Sequence, residues 1–271
     1  MPIRYKVKEA SWLEKFPVSM SSARENRACR ASIKRSYVYA QGTFKNVYMG
    51  RYTEGSRAGE QCVCKIFKSG SVYEDSYFEH ELLVVNKAIE VVNNYNQDGI
   101  IDKFIWINKP EIWSFVSNGE MHLLEPFIAN FEKFNSNTGW TPDKSSPWID
   151  VMQALSHYSY HISNGKSLLC DIQGGYYKDG FIITDPVIMS NKKEYGPSDL
   201  GAKGISTFFA RHQCTQYCKS YWIRPKDDKI YFQEQKGSSM LLLPTCKSRV
   251  AMTGQFSRIF PQKRKLEALA E

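Results

Sequence analysis

The chain has 271 residues, of which 42% are hydrophobic and 24% charged, a composition typical of one large globular domain or of two lobes that share a core. Counts of 17 glycines and 11 prolines exclude a collagen-like or low-complexity chain. The net charge of +8 favours anionic partners such as phosphates, nucleotides, acidic peptides or nucleic acid, without choosing among them. Because the first 20 residues lack the apolar stretch of a secretory signal, we expect a cytoplasmic protein with no membrane segment, whose scattered cysteines are thiols or metal ligands.

The N-terminal half predicts a β-rich lobe over residues 36–124, preceded by a basic and irregular extension over 1–35. Runs that alternate as strands do occur at 36–40, 46–52, 61–67, 104–107 and 121–125. Among them lies one long helix, predicted from an apolar stripe whose members are three or four residues apart: Phe78, Leu82, Val85, Ile89 and Val92.

A glycine turn and a strand lysine of this lobe could together bind phosphate groups. The turn at Gly42 would lay backbone N–H groups over phosphates, and Lys65 would be mounted rigidly on the 61–67 strand. A carboxylate of the neighbouring long helix, Glu79 or Glu81, could hold that lysine in place. The alternative interpretation is a lysine at a solvated sheet edge.

The segment 125–271 predicts a second lobe of mixed helices and strands, so the fold class is α+β. Ser146 followed by Pro147 fits a helix N-cap with proline at the first helical position. Two short apolar strands and one further helix follow, at 167–172, 181–184 and 205–212.

Two aspartates end the apolar strands of this lobe. Asp171 and Asp185 lie at the ends of their strands, and Gln173 lies between them beside the pair Gly174-Gly175, which would join the strands. Two carboxylates and an amide at strand ends suit Mg²⁺, which takes oxygen ligands from the protein and from substrate phosphates. The alternative is that each aspartate only begins a turn before glycine or proline.

A cluster of histidine and cysteine predicts a metal site. Cys214 and Cys218 are four residues apart, so a helix would place both thiols on one face, where they could bind tetrahedral zinc. His212 can share that ion only if the helix breaks directly after it, and either His157 or His161 could be the fourth ligand. We favour a structural zinc because the motif contains no general base; plain core packing of the cysteines is the alternative.

These motifs occur in an order and at distances that resemble the alpha-kinase family of atypical protein kinases. The resemblance covers about 36–224 and rests on Val63–Phe67, Glu125–Ile128, 131–139, Asp171-Ile-Gln-Gly, Thr184-Asp-Pro, Asp199-Leu-Gly-Ala-Lys-Gly and 208–218. It implies a two-lobed, atypical protein-kinase-like fold with a structural zinc in the C-terminal lobe. It also implies a serine/threonine protein kinase that transfers the γ-phosphate of ATP to protein substrates with Mg²⁺.

The resemblance further implies a role for each matched position. The catalytic residues would be Asp171 and Lys65, and the Mg²⁺ ligands would be Gln173 and Asp185. The residues around the nucleotide would be Gly42, Lys45, Lys65, Glu125 at the adenine hinge, Phe127 through its amide, Lys133 and Asn135. The zinc ligands would be His157, His212, Cys214 and Cys218. The loop with Asp199, Gly201 and Gly204 would contact substrate or nucleotide, as an anion-binding helix start could.

Two other functions fit parts of the sequence. The positive charge and the 14% of aromatic residues would suit a zinc-stabilised nucleic-acid-binding module, but the aromatic residues lie within apolar runs and do not alternate with lysine and arginine. A pseudokinase scaffold would lack a catalytic group, whereas Lys65, Asp171, Gln173 and Asp185 are all present. The sequence therefore favours an active kinase over both.

Overall fold

The computed structural model describes residues 4–5, 28–68, 78–144 and 146–240 and the backbone of 264–268. The strands and helices are β1 (Ala28–Ile33), β2 (Ala40–Gln41), β3 (Lys45–Gly55), β4 (Gln61–Phe67), α1 (Glu79–Gln97), β5 (Phe104–Ile107), β6 (Glu111–Phe115), β7 (Met121–Pro126), β8 (Phe131–Lys133), α2 (Pro147–Ile162), β9 (Ser167–Cys170), β10 (Gln173–Tyr177), β11 (Gly180–Thr184), β12 (Val187–Ser190), α3 (Gly201–Arg211) and β13 (Arg264–Ala268). Among the described residues, no helix is both long and apolar enough to cross a bilayer.

The first sheet closes on itself. Strands β3, β4, β7 and β6 are antiparallel neighbours, β13 lies between β6 and β1 and runs parallel to both, and β1 pairs back to β3. The closed sheet surrounds a small apolar core that includes Cys62, Cys64 and Trp113. Because side chains alternate along β4, Lys65 lies on the opposite face from these cysteines, as the sequence predicts.

Strand β1 lies inside the segment that the sequence predicts to be an N-terminal extension. Its register shifts twice against β3, between Ala28 and Arg30 and between Arg30 and Ala31. This bulge breaks the alternation of buried and exposed side chains, which hides the strand from a period-two pattern. The predicted strand at 36–40 is wrong except at its end, where β2 begins, and β6 was not predicted.

The second lobe contains the largest core. A four-stranded sheet in the order β5-β11-β10-β8 packs with α1 and α2. Helix α1 and strand β5 therefore share a core with the second lobe, although they precede residue 125. Three members of the predicted stripe, Phe78, Val85 and Val92, are buried, whereas Leu82 and Ile89 are half-buried. The buried face of α1 is therefore wider than the stripe and also includes Val84, Ala88 and Val91.

Helices α2 and α3 frame a third cluster of apolar residues with the β9–β12 pair. Helix α2 begins where predicted: the Ser146 side chain accepts a hydrogen bond from Trp148 N at 3.3 Å, a cap that stabilises a helix by about 0.5–2 kcal/mol. The prediction that Gly174 and Gly175 join two strands is wrong, because both lie within β10. A Cβ at position 174 would lie 1.8 Å from Ile182 O on the paired strand, so only glycine fits there.

Candidate active site and metal centre

Lys65 is the centre of a buried charged cluster at the junction of the two lobes. Its ammonium lies 2.6 Å from Asp185 Oδ2 and 3.0 Å from Thr184 Oγ1, and it forms an ion pair with Glu125. Glu125 lies on β7, opposite Val63 of β4, so its carboxylate reaches the lysine diagonally across the strand pair. Thr184 donates a hydrogen bond to Glu125 and accepts one from Lys65, which completes the pairing of the buried charges.

A second lysine contacts the same aspartate. Lys45, near the start of β3, lies 3.1 Å from Asp185 Oδ1 and 2.8 Å from Glu81 on α1. The helix carboxylate therefore holds Lys45, and the prediction that Glu79 or Glu81 would hold Lys65 is wrong. The reason is that Glu125, on the adjacent strand, already occupies the position beside Lys65.

Neighbouring opposite charges favour the charged forms of Lys65, Lys45 and Asp185, whereas burial leaves the pKa of Glu125 above its ordinary value. Burial lowers the pKa of Lys65, but Asp185 and Glu125 raise it by more, so the net pKa lies above its ordinary value. The pKa of Lys45 is likewise raised overall, because Asp185 and Glu81 outweigh burial. Burial raises the pKa of Asp185, yet the two ammonium groups bring it well below its ordinary value. Two permanent ammonium groups thus share one carboxylate, and a polyphosphate could bind to the same pair.

Asp171 forms the adjacent part of the site. It follows β9 with a φ of 58°, and Asp185 follows β11 with a φ of 46°, so both aspartates adopt the left-handed conformation at strand ends. Asp171 Oδ1 accepts a hydrogen bond from Lys133 Nζ at 2.7 Å. Gln173 Nε2 lies 3.3 Å from Asp171 Oδ2 and 3.4 Å from Asp185 O, which connects the two aspartates. The structure therefore brings together Lys65, Lys45, Asp185, Gln173, Asp171 and Lys133.

Four side chains of the second lobe form a compact cluster. The ligand atoms of His157, His212, Cys214 and Cys218 all lie within 4.8 Å of one another. Cys214 Sγ is 3.6 Å from His157 Nδ1, and Cys218 Sγ is 3.7 Å from His212 Nε2. Bond lengths of about 2.3 Å to sulfur and about 2.0–2.1 Å to nitrogen, at tetrahedral angles, place such atoms about 3.6 Å apart. The donor set therefore fits a tetrahedral metal ion.

The surroundings of the cluster suit metal binding as well. His157 Nε2 lies 3.1 Å from Ile223 O, which leaves Nδ1 free of a proton and directed at the cluster. Burial lowers the pKa of His157 to about 4 and that of His212 to about 3, so both imidazoles are neutral at pH 7. Burial raises the pKa of Cys218 to about 12, so its thiolate needs a neighbouring cation.

The sequence itself decides the family. The model of the Alpha-kinase family matches residues 40–218, which are well over half of the chain. The matched range contains the lysines, both aspartates and all four members of the histidine-cysteine cluster. The chain belongs to the alpha-kinase family. The fold agrees with this assignment, and the resemblance on which the sequence analysis rests is confirmed.

Several curated alpha-kinases are similar to the chain over part of its length. Alpha-protein kinase vwkA of Dictyostelium discoideum is 39% identical over 98 residues, or 35% of this chain. Myosin heavy chain kinase B of the same organism is 29% identical over 201 residues, or 70% of this chain. Eukaryotic elongation factor 2 kinase of Mus musculus is 31% identical over 128 residues, or 47% of this chain. The chain spans only 15%, 26% and 17% of the length of these three proteins.

Solved alpha-kinase structures share the fold. An alpha kinase from Entamoeba histolytica superposes with a TM-score of 0.63 at 18% identity, over 78% of this chain and 85% of that one. The alpha-kinase domain of myosin heavy chain kinase A, solved in complex with AMP, gives 0.58 at 20% identity, over 75% of this chain and 94% of that one. The α+β alpha-kinase fold predicted from the sequence is confirmed.

Three residues predicted near the nucleotide have other contacts in this alpha-kinase. The Phe127 amide donates to Gln61 O at 3.1 Å, so this hydrogen bond would have to open for the predicted contact with adenine. The Gly42 amide closes the β2–β3 turn by donating to Lys45 O at 2.9 Å. Asn135 is fully buried and accepts a hydrogen bond from Ile172 N at 2.9 Å, so it shapes the backbone directly after Asp171.

The loop before α3, predicted to contact substrate or nucleotide, contains a carboxylate that is held by contacts within the protein. Asp199 is fully buried, and its carboxylate accepts hydrogen bonds from Ser190 N, from Ser190 Oγ and from Gly201 N. A protein carboxylate thus already binds one of the free N–H groups at the start of α3, where an external anion would also bind. Gly201 has a φ of 73°, and a Cβ at Gly204 would lie 2.3 Å from Met189 Sδ, so both glycines serve packing.

The partners of the predicted residues lie far away along the chain. Lys45 pairs with Glu81 of helix α1, 36 positions along the chain, and Lys65 pairs with Glu125 of the neighbouring strand β7, 60 positions along; no local sequence pattern indicates either contact. Ser238 lies 2.6 Å from Asp171 although it is 67 positions away. Thr184, in the Thr184-Asp-Pro motif, is the one missed residue with a usable signal, since it directly precedes Asp185.

Replacing Glu125 by glutamine tests the buried ion pair. We expect the free energy of unfolding to fall by about 3 kcal/mol, the lower end of the cost of breaking a buried pair, because Lys65 keeps Asp185 as a partner. Glu54→Gln is the matched control: its pair with Arg30 is exposed, and such pairs contribute about 0–1 kcal/mol. Denaturant unfolding measures both variants, and equal losses would contradict the assigned role of Glu125.

Proposed function

We propose that the chain is an ATP-dependent protein kinase that transfers the γ-phosphate to serine or threonine hydroxyls of proteins. Family membership supports the protein kinase class. The observation that best supports an active enzyme is the convergence of Lys65, Lys45, Asp185 and Asp171 at one place between the lobes. Phosphoryl transfer depends mainly on alignment and on neutralising phosphate charge, and this group offers both.

In this proposal the lysines bind the phosphate groups. Lys65 and Lys45 both remain ammonium groups at neutral pH, and both now contact Asp185. A triphosphate would compete with that carboxylate for the lysines. Asp185 and Gln173 offer a carboxylate and an amide oxygen, ligands that fit Mg²⁺, which would neutralise phosphate charge when bound. Gln173 Oε1 has only a long contact, 3.4 Å from Lys133 Nζ, so it can be released to a cation.

Asp171 would orient the acceptor hydroxyl and take its proton. Burial raises the pKa of this carboxyl by more than Lys133 and Ser238 lower it, which makes it a better proton acceptor than an exposed aspartate. Lys133, 2.7 Å from Oδ1, would fix the orientation of the carboxylate, and Oδ2 would then face the acceptor. The attacking oxygen would thus lie beside Oδ2.

The histidine-cysteine cluster would hold a structural zinc ion in this kinase. His157 belongs to α2, whereas His212, Cys214 and Cys218 follow α3, so one ion would connect the two helices. All four positions of a tetrahedral ion would be filled by protein ligands, which is typical of structural and not of catalytic zinc.

The acceptor class can be tested with matched peptides. We expect the purified chain, given labelled ATP and Mg²⁺, to label a basic peptide that carries serine or threonine but not the same peptide with tyrosine. The site would have to admit a longer side chain for tyrosine to reach Asp171. Transfer to tyrosine alone, or hydrolysis of ATP without transfer to any peptide, would refute the proposal.

A further inference from the structure

A segment near the C-terminal end of the described chain crosses the candidate active site. We call residues 232–239 the strap. Its Ser239 N donates to Asn137 Oδ1 at 2.9 Å, and Asn137 Nδ2 donates to Ser239 O at 2.8 Å. One side-chain amide thereby pairs with both backbone groups of a strap residue, much as a neighbouring strand would. Asn137 is itself fully buried, so its position is fixed.

Further contacts hold the strap from both lobes. Gln235 N donates to Thr138 Oγ1 at 2.9 Å in the second lobe, and Arg211 Nη1 donates to Phe232 O at 3.1 Å. From the first lobe, Thr43 in the turn between β2 and β3 donates to Ser238 O at 3.2 Å. These bonds go to the strap backbone, which is how proteins bind an extended peptide without strict demands on its side chains.

The strap delivers one hydroxyl to the catalytic aspartate. Ser238 Oγ donates to Asp171 Oδ2 at 2.6 Å, the oxygen that Lys133 leaves available. The adjacent Ser239 differs: its hydroxyl donates to Gln235 Oε1 at 3.3 Å, on the exposed side of the strap. Of two neighbouring serines, only Ser238 therefore lies where a kinase would hold its acceptor.

We propose that Ser238 is an intramolecular phosphorylation site and that the strap is a built-in substrate in the acceptor position. The proposal rests on the proposed kinase function. Ser238 Oγ attacks the γ-phosphorus of ATP, and a new oxygen–phosphorus bond forms. The bond from that phosphorus to the β,γ-bridging oxygen breaks, and its electron pair leaves with ADP. The hydroxyl proton passes to Asp171 Oδ2, so atoms and charge balance.

The product no longer fits the docked position. A phosphoserine carries about −1.5 to −2 charges at pH 7 and would lie beside the Asp171 carboxylate. Like-charge repulsion therefore disfavours the docked strap after transfer. A protein substrate needs the same Oδ2, so the unmodified strap and an external acceptor compete for one position.

Phosphosite mapping with a dilution series tests this proposal. The full chain is treated with phosphatase, and the phosphatase is then removed. The chain is incubated with ATP and Mg²⁺ at several protein concentrations. We expect phosphate on Ser238, with a first-order rate constant that does not change on dilution, because acceptor and catalytic residue share one chain. Ser238→Ala should lose that site completely, Ser238→Thr should retain a phosphorylated residue there, and the neighbouring control Ser239→Ala should still be phosphorylated on Ser238.

Labelling of an external serine peptide in the same reactions separates the two proposals. Peptide labelling without phosphate on Ser238 would overturn the built-in substrate and leave the kinase function intact. A Ser238 rate proportional to chain concentration, or phosphate on Ser239 in place of Ser238, would overturn it as well. No transfer to peptide or chain would refute the kinase function together with this inference.

Discussion

Asp171→Asn is expected to lower kcat for peptide phosphorylation by about 10²–10⁴-fold, the usual contribution of a positioned general base. Asparagine keeps the shape of the side chain but cannot take the proton of the acceptor hydroxyl. The KM for ATP should change little, because the triphosphate would be held by Lys65, Lys45 and Asp185. Steady-state kinetics with varied ATP and varied peptide separate the two effects.

The choice of asparagine matters because Asp171 has a φ of 58°. Asparagine tolerates the left-handed conformation, whereas alanine would add backbone strain and confuse a loss of chemistry with a loss of structure. Asp143→Asn, on the exposed loop before α2, makes the same chemical change away from the site and should keep wild-type kinetics. Wild-type kcat in Asp171→Asn would show that this carboxylate does not act in the transfer.

Local patterns in the sequence predict which face a residue occupies, but they do not predict its partner. Alternation along β4 correctly separates Lys65 from Cys62 and Cys64. The carboxylate that pairs with Lys65 depends instead on the register between β4 and β7, which places Val63 opposite Glu125. That register is set by packing across the closed sheet, and no local pattern of charge reports it. A helix glutamate was therefore a reasonable but wrong prediction.

The histidine-cysteine cluster shows the opposite case: the sequence predicts its four members, but for a reason that is incomplete. Cys214 and Cys218 were expected on one face of a helix. In the structure α3 ends at Arg211, and His212 has an extended ψ of 123°, so the cysteines lie in the turn that follows. The sequence predicts that His212 can share an ion with the cysteines only if the helix breaks near it, and the end of α3 at Arg211 meets this condition. His157 is the fourth member because α2 buries it, whereas His161, one turn further, is half-buried and lies outside the cluster.

The strap could not be predicted because its sequence has no periodic pattern. Its position depends on hydrogen bonds between its backbone and side chains such as Asn137 and Thr138, which precede it by about a hundred positions. Such bonds are almost independent of the strap's own side chains. The stretch 131–139 is part of the resemblance to alpha-kinases, and the contacts of Asn137 and Thr138 with the strap give these two residues a physical role.

Removal of the proposed zinc ion is expected to unfold the second lobe. Structural zinc contributes apparent binding free energies of about 10–16 kcal/mol, which matches or exceeds the net stability of about 5–15 kcal/mol of a typical domain. Phe209 packs in the core beneath α3, and Trp222 belongs to the core around α2, and both rings lie against His157. Loss of the ion would therefore loosen two cores at once. Cys218→Ser should abolish cooperative thermal unfolding and lower bound zinc well below one per chain.

Acid should also unfold the second lobe, because His157 and His212 bind protons more readily in the unfolded chain than in the fold. In the unfolded chain the two imidazoles take up protons near pH 6.5, whereas in the fold the pKa values of His157 and His212 are about 4 and about 3. The unfolded state thus binds more protons, and stability falls as pH drops below 6.5. Protonation also removes the nitrogen lone pairs that bind the ion, so zinc release and unfolding should coincide in an acid titration.

Cys29→Ser is the matched control for both measurements, because Cys29 is an exposed free thiol on β1, away from the cluster. It should keep the zinc content, the melting transition and the acid midpoint of the unmodified chain. A Cys218→Ser variant that still melts cooperatively would contradict the structural role of the ion even if its zinc were lost.

Metal analysis of the intact chain tests the identity of the metal directly. A folded, chelator-resistant sample with far less than one zinc per chain would show that the four side chains are held together by packing alone.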